Sequence, residues 1–225
     1  MSQQNAIVVF DLDGVLIDSA EANVQAFRYG LEQVGVMAGD REAILSLVGL
    51  PALEMLRRLG CPNESVSEVF DQHVRPFYIE NLPALARAYP GSQRVLTNLR
   101  ESGFQIAACT SGDRQTQTAA LQAIGLWEYI EEMQTPDDSS FGKPDPRYLT
   151  ELLAKFPQGG RVHHVEDSEV GIMMGRDCGA VTFFASYGNG TLSGEVQPDF
   201  ILASIEELPM AILKANAQLS AMPLS

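Results

Sequence analysis

The run Ala6-Ile7-Val8-Val9-Phe10, followed at once by Asp11-Leu12-Asp13-Gly14, constrains this chain more than any other feature. Five consecutive apolar residues, three of them β-branched, closed by Asp and Gly, read as a fully buried strand ending at Asp11. The carboxyl end of such a strand faces the ligand crevice of an α/β sheet. Side chains alternate along extended chain, so Asp11 and Asp13 share one side of the strand's mouth. Two carboxylates that close repel unless a cation lies between them or a proton is shared. Taken alone, the pair also fits a plain turn, with Asp11 as a cap and Asp13-Gly14 supplying turn chemistry.

The rest of the chain narrows the choice. From residue 20 to 88 apolar residues fall at helical spacing, as in Val24, Phe27, Leu31 and Val34, then Leu53, Leu56 and Leu59. Gly35, Gly39, Gly49-Leu50-Pro51 and Cys61-Pro62 punctuate the stretch, which reads as all helix. After Pro90-Gly91 the pattern alternates. Helices are expected near 92–102, 114–124, from Pro144, 168–178 and 205–215, with strands near 105–109, 129–134, 162–165, 181–184 and 200–202. Residues 218–225 look like a frayed tail. Strands spaced by such helices imply right-handed βαβ units and a parallel sheet covered on both faces. The expected organisation is therefore a Rossmann-like α/β core of residues 1–18 and 90–225, with residues 19–89 inserted as a helical domain. Placed directly after a strand's carboxyl end, that domain would hang over the crevice as a lid.

Bulk properties exclude several classes. The 225 residues carry 15 Lys plus Arg against 29 Asp plus Glu, a formal net charge of −14. Nucleic acid and acidic membrane surfaces are poor partners for such a chain. No apolar run reaches membrane-spanning length, and the N-terminal MSQQN lacks the features of a secretory signal. The expected compartment is the cytoplasm. Cys61, Cys109 and Cys178 are scattered singly, which suits buried thiols better than disulfides or a zinc site.

Three further expected strand ends carry chemistry. Thr110-Ser111-Gly112 offers a hydroxyl and flexible backbone amides for a phosphate, although a Ser/Thr helix cap fits as well. Lys143, one of three lysines, precedes Pro144 in Phe141-Gly142-Lys143-Pro144-Asp145-Pro146. Its spacing is not that of a P-loop. Glu166-Asp167-Ser168 adds two carboxylates, with Ser168 able to cap the next helix. Carboxylate oxygens from Asp11 and Asp167 suit Mg²⁺. A metal and Lys143 would hold a phosphoryl group against Asp11, the nucleophile, while Asp13 serves as acid and base.

The ordered segments VVFDLDGVLIDS, CTSG, FGKPDP and VEDSEVGI resemble the four successive motifs of the haloacid dehalogenase-like (HAD) superfamily, over nearly the whole chain from about residue 6 to 213. The helical insertion looks like that family's mobile cap. The resemblance implies Asp11 as nucleophile and Asp13 as acid/base, with the Asp13 backbone carbonyl also on Mg²⁺. It implies Thr110 and Lys143 as catalytic and phosphate-binding groups with Ser111 and Gly112, and Asp167 as metal ligand with Glu166 as a possible addition. Val15 departs from the Thr of many phosphatases in the family and removes only a local hydrogen bond. Asp13 argues against a haloacid dehalogenase. The absence of Lys between residues 20 and 88 excludes the Schiff-base chemistry of phosphonoacetaldehyde hydrolases.

The expected substrate is a small phosphorylated metabolite, such as a sugar phosphate or phosphoglycolate. The main rival is a β-phosphoglucomutase-like enzyme. That family usually supplies Ser and Lys where this chain has Gly112 and Asp113, and an acidic residue there should repel a second phosphate. A catalytically silent binding protein on the same scaffold is a third alternative. Arg28, Arg41, Arg57, Arg58, Arg75 and Arg87 of the insertion are candidates for an anionic or polyol leaving group, most of them expected on solvated faces. His163-His164 reads as a structural pair away from the strand's mouth, Met173-Met174 and Trp127 as core fillers, and Tyr187 to Gly190 as a flexible loop.

Overall fold

A computed structural model of the chain describes residues 6–156 and 158–221. The elements run β1 (Ile7–Phe10), β2 (Ile17–Asp18), α1 (Ala20–Glu32), α2 (Arg41–Leu45), α3 (Ala52–Arg58), α4 (Val66–Val69), a π-helical turn (Phe70–Val74) and α5 (Arg75–Leu85). There follow β3 (Arg87–Ala88), α6 (Ser92–Glu101), β4 (Gln105–Cys109), α7 (Arg114–Ala123), β5 (Glu132–Gln134), α8 (Pro146–Leu153) and β6 (Val162–Glu166). The chain then forms α9 (Glu169–Asp177), β7 (Val181–Ala185), β8 (Phe200–Leu202) and α10 (Leu208–Ala221).

The main sheet has the order β5-β4-β1-β6-β7-β8, with every neighbouring pair parallel. β1 is first in the chain yet central in the sheet, and every one of its four residues is apolar and buried. Val8 and Phe10 join one hydrophobic cluster and Ile7 and Val9 another, so apolar layers cover both its sides. Strand order reverses at β1, with β4 on one side and β6 on the other. Such a switch point leaves a crevice at the carboxyl ends of the strands, and Asp11, Thr110 and Glu166-Asp167 all stand there.

Beyond β1 the chain turns sharply: the Leu12 carbonyl accepts hydrogen bonds from the amides of Val15, Leu16 and Ile17. β2 then pairs antiparallel with β3, Ile17 opposite Ala88. The two ends of the helical insertion are thus tied by one short ribbon. Within the insertion α1 packs on α5, with the rings of Tyr29 and Phe77 stacked at 4.7 Å.

Several expectations are corrected. Residues 20–88 are not all helix: Arg87–Ala88 is a strand, too short for periodicity to reveal. The helix expected from Pro144 opens at Pro146, because the Asp145 side chain accepts from the Arg147 amide and Pro146 occupies a first-turn position whose N–H would be unpaired anyway. Residues 127–129 form a 3₁₀ turn, so β5 starts only at Glu132. The last helix extends through residues expected to fray, up to Ala221; residues 222–225 and the N-terminal MSQQN lie outside the described residues. Trp127 and Met173 are 37% and 38% exposed, so only Met174 fills the core. Cys61 and Cys109 are buried and Cys178 half-buried. No helix among the described residues is long and apolar enough to cross a membrane.

α8 covers β1 through Tyr148, Leu149 and Leu152, all fully buried. Leu149→Ala is expected to cost about 2–5 kcal/mol, whereas Met37→Ala, at a residue 93% exposed, should stay within about 0.5 kcal/mol. Urea unfolding of the two variants measures both.

Candidate active site

Lys143 is the centre of the site. Its side chain is only 3% exposed, and its Nζ lies 2.9 Å from Asp11 Oδ1 and in direct contact with Glu166 Oε1. Burial works against its charge, but the carboxylates of Asp11 and Glu166 outweigh that and hold its pKa well above the usual lysine value. Lys143 is thus a buried, ion-paired lysine and not a solvated surface one. The loop from β5 to α8 carries Lys143 inward, while Asp145 and Pro146 start the next helix just behind it.

Asp11, Glu166 and Asp167 are all buried, and each offers a carboxylate oxygen within 4.8 Å of the others. Burial pushes the Asp11 carboxyl up to about 6, with the charge of Glu166 adding and Lys143 opposing. Burial pushes Asp167 up to about 7, reinforced by Asp11 and Glu166. Asp167 Oδ2 accepts from the backbone amides of Asn189 and Gly190 at 2.9 and 3.1 Å. Gly14, at φ +82°, leaves room for that carboxylate, which a Cβ there would strike. Glu166 is committed differently: Lys143 takes Oε1, and the Ser168 hydroxyl donates to Oε2 at 2.9 Å. Ser168 also caps α9, accepting from the Gly171 amide. The donor set of three buried, hard oxygen groups fits a divalent cation such as Mg²⁺.

Asp13 turns away from this cluster. Its Oδ1 accepts from the Ser19 hydroxyl and its Oδ2 from Gln117 Nε2 at 2.7 Å. Burial raises its pKa and the nearby Asp11 charge adds to the rise, while the Ser19 and Gln117 hydrogen bonds oppose it. A half-buried carboxyl held beside, but apart from, a second carboxyl is the arrangement that keeps one proton available. Gln117 comes from α7, and Gly112 is what lets it pass, since a Cβ at 112 would meet the Gln117 amide.

Thr110 and Ser111 are buried at the end of β4, and Thr110 Oγ1 accepts from the Gly112 amide at 3.2 Å. The buried Tyr148 hydroxyl donates to the Thr110 carbonyl at 2.7 Å, fixing that turn from α8. Asp113 caps α7 through the Thr116 amide. A cavity of about 50 Å³ joins Asp11, Asp13, Thr110, Ser111, Gly112 and Asp113 to the insertion, where Gly49-Leu50 and Arg75 reach into it.

Of the six arginines in the insertion, Arg75 alone lines this cavity. Arg41, Arg57 and Arg58 pair with Glu21 or Glu54 at the surface, Arg87 donates to the Pro83 and Ala86 carbonyls, and Arg28 is only half-buried. His164 is not remote from the site as expected: its Nε2 lies 4.0 Å from Glu166 Oε1. Burial, with Lys143 adding, pushes its pKa down to about 3, so its ring is neutral. The Tyr187 to Gly190 loop is part of the site's wall, holding Asp167 by two amides while the Tyr187 hydroxyl donates to the Val15 carbonyl. Gln117, Tyr148 and this loop were missed as site residues. For the loop, the sequence signal is the pair of glycines flanking Asn189, while Gln117 and Tyr148 sit on helices with no such mark.

A model of the haloacid dehalogenase-like hydrolase family matches residues 8–185. This chain belongs to that family. Among curated relatives it is 27% identical to the phosphoglycolate phosphatase of Mesorhizobium japonicum, over 92% of this chain and 94% of the relative. It is 29% identical to the validoxylamine A 7'-phosphate phosphatase of Streptomyces hygroscopicus subsp. limoneus, over 77% and 82%. A crystal structure described as a predicted phosphoglycolate phosphatase of Haemophilus somnus 129PT superposes with a TM-score of 0.84 at 22% identity, covering 94% of this chain and 99% of that one. That last likeness carries the fold.

The raised carboxyls give a test. Asp11 and Asp167 bind protons more tightly folded than unfolded, so ionising them penalises the folded state. In the metal-free protein that penalty is absent below about pH 4 and complete above about pH 7. A cation between them relieves it. The gain in Tm on adding Mg²⁺ in place of EDTA should be larger at about pH 7.5 than at about pH 5. Asp167→Asn should remove most of that gain. A gain independent of pH would contradict this electrostatic account.

Proposed function

We propose that this hydrolase of phosphoric monoesters acts on a small phosphorylated metabolite, with Mg²⁺, through a phosphoryl group carried transiently on Asp11. The observation that carries the reading is the buried Asp11 carboxylate joined to Lys143 and grouped with Glu166 and Asp167 at the switch point of the sheet. Two of the relatives named above bear the names of phosphatases, which supports phosphoester hydrolysis over dehalogenation.

The Asp11 carboxylate attacks phosphorus and the ester P–O bond breaks. Asp13 gives its proton to the departing alkoxide, so the alcohol leaves neutral. Asp13, now ionised, takes a proton from the incoming water, whose oxygen attacks the same phosphorus. The acyl phosphate bond breaks, inorganic phosphate leaves and Asp11 is restored. Asp11 and Asp167, with Glu166 behind them, would hold Mg²⁺, which would offset the charge of the phosphoryl group beside these carboxylates. Lys143 offsets the same charge, and Glu166, itself held by the Ser168 hydroxyl, keeps its ammonium in place. Thr110 and the Ser111 and Gly112 amides are suited to the phosphoryl oxygens. Residues 19–89 would act as a cap, turning on the β2-β3 ribbon to exclude water. The acidic Asp113, where a mutase needs to hold a second phosphate, supports a phosphatase.

Phosphate release from a panel of small phosphomonoesters, with Mg²⁺ and with EDTA, tests the reading. Release should need the metal, fall to background in Asp11→Asn, and drop about 10²–10⁴-fold in Asp13→Asn. Interconversion of glucose 1-phosphate without release would establish the mutase instead.

A further inference from the structure

The site-facing cavity has one wall that the reaction above does not use. Phe27, Val48, Leu50, Met55, Phe70 and Val74 line it with apolar surface from the insertion. Arg75 is the cation of that lining, and it is already engaged on both sides. Its Nη1 lies 2.7 Å from Asp71 Oδ1, and its Nε lies 3.3 Å from Oδ1 of Asp113, across on the core side of the cleft. Its guanidinium carbon sits 4.5 Å from the centroid of the Phe70 ring. The Arg75 and Asp113 side chains are 23% and 15% exposed, so this pair is screened less than a surface pair. One guanidinium between two carboxylates leaves that corner with a formal charge of −1. In the adjoining groove Glu54 is answered by Arg57 and Arg58, and Asp137 accepts from the Arg114 amide, so the unbalanced charge is that of the Asp71 and Asp113 corner.

Resting on the phosphatase reading, we infer that the Arg75–Asp113 pair selects substrates by charge: the favoured leaving group is a largely apolar alcohol carrying no negative charge of its own. A free Arg75 would be a ready anchor for a carboxylate or second phosphate on the leaving group. With Asp113 and Asp71 on it, a second anion meets net repulsion and must displace an existing ion pair. Apolar walls reward an uncharged carbon skeleton. The alcohol must fit this small, partly open cavity, and its oxygen must reach Asp13. Asn23 and Thr116, also in the lining, can accept or donate to one or two polar groups on it.

Asp113→Asn separates charge from structure, because Asn caps a helix N-terminus as well as Asp does and leaves α7 intact. The readout is the ratio of kcat/KM for 2-phosphoglycolate to that for propyl phosphate, with and without a carboxylate, measured in one preparation so that any loss of folded protein cancels. The wild-type ratio should be below about 0.1, and Asp113→Asn should raise it about tenfold. The double variant Asp71→Asn with Asp113→Asn should raise it further. A wild-type preference for 2-phosphoglycolate, or a ratio unmoved in both variants, overturns the inference while the phosphatase reading stands. If neither ester nor 4-nitrophenyl phosphate is hydrolysed, the phosphatase reading falls and this inference with it.

Discussion

The contact on which the structure depends is the buried Lys143 ammonium between Asp11 and Glu166. Three carboxylates within 4.8 Å would not share a buried volume unaided. Lys143 neutralises one of them, and the Asn189 and Gly190 amides and the Ser168 hydroxyl satisfy others. The arrangement still carries excess negative charge, which appears as the upward shifts of Asp11 and Asp167. On the proposed reading, that charge imbalance is the physical basis for binding a divalent cation. The sheet's part is to bring these groups together from residues 11, 143, 166 and 167, far apart in the chain, at the point where strand order reverses.

The helical insertion completes the site from the opposite side. It enters and leaves through a ribbon of two residues on each strand, so its orientation depends on few backbone bonds. Asp13 stands where the two parts meet: Ser19 at the first turn of α1 and Gln117 on α7 both hold its carboxylate. Tyr78, from α5, is buried nearby, and burial followed by the Asp13 charge keeps its hydroxyl protonated. The proton transfer proposed for Asp13 and the position of the insertion therefore depend on the same side chains. The Asp13 carboxylate is placed by both parts of the chain, whereas Asp11 is placed by the end of β1 and by Lys143.

What could be read in advance follows from how local each signal is. The strand of Ile7 to Phe10 and the carboxylates after it were legible because burial on both faces requires an unbroken apolar run, and the first polar residue marks its end. Ser168 was legible as a cap for the same local reason. Asp113 was legible as an acidic residue at the site, but its cap on α7 and its pairing with Arg75 were not, since both depend on packing. The six arginines are alike in sequence, and only the turn that starts α5 aims one of them inward. Gln117 and Tyr148 sit on helix faces whose orientation the sheet determines. Arg87–Ala88 was missed because two residues carry no period, and Pro144 misled because the better cap, Asp145, follows it directly.

The most direct test of the account is to quench turnover with acid on the millisecond scale and map any phosphoryl group on the protein by mass spectrometry. A hydroxylamine-sensitive phosphoryl group on the peptide containing Asp11, formed and lost at rates that sustain turnover and absent in Asp11→Asn, is the predicted result. Turnover with no phosphorylated protein at any time, or with the group on another residue, would contradict the central role given to Asp11.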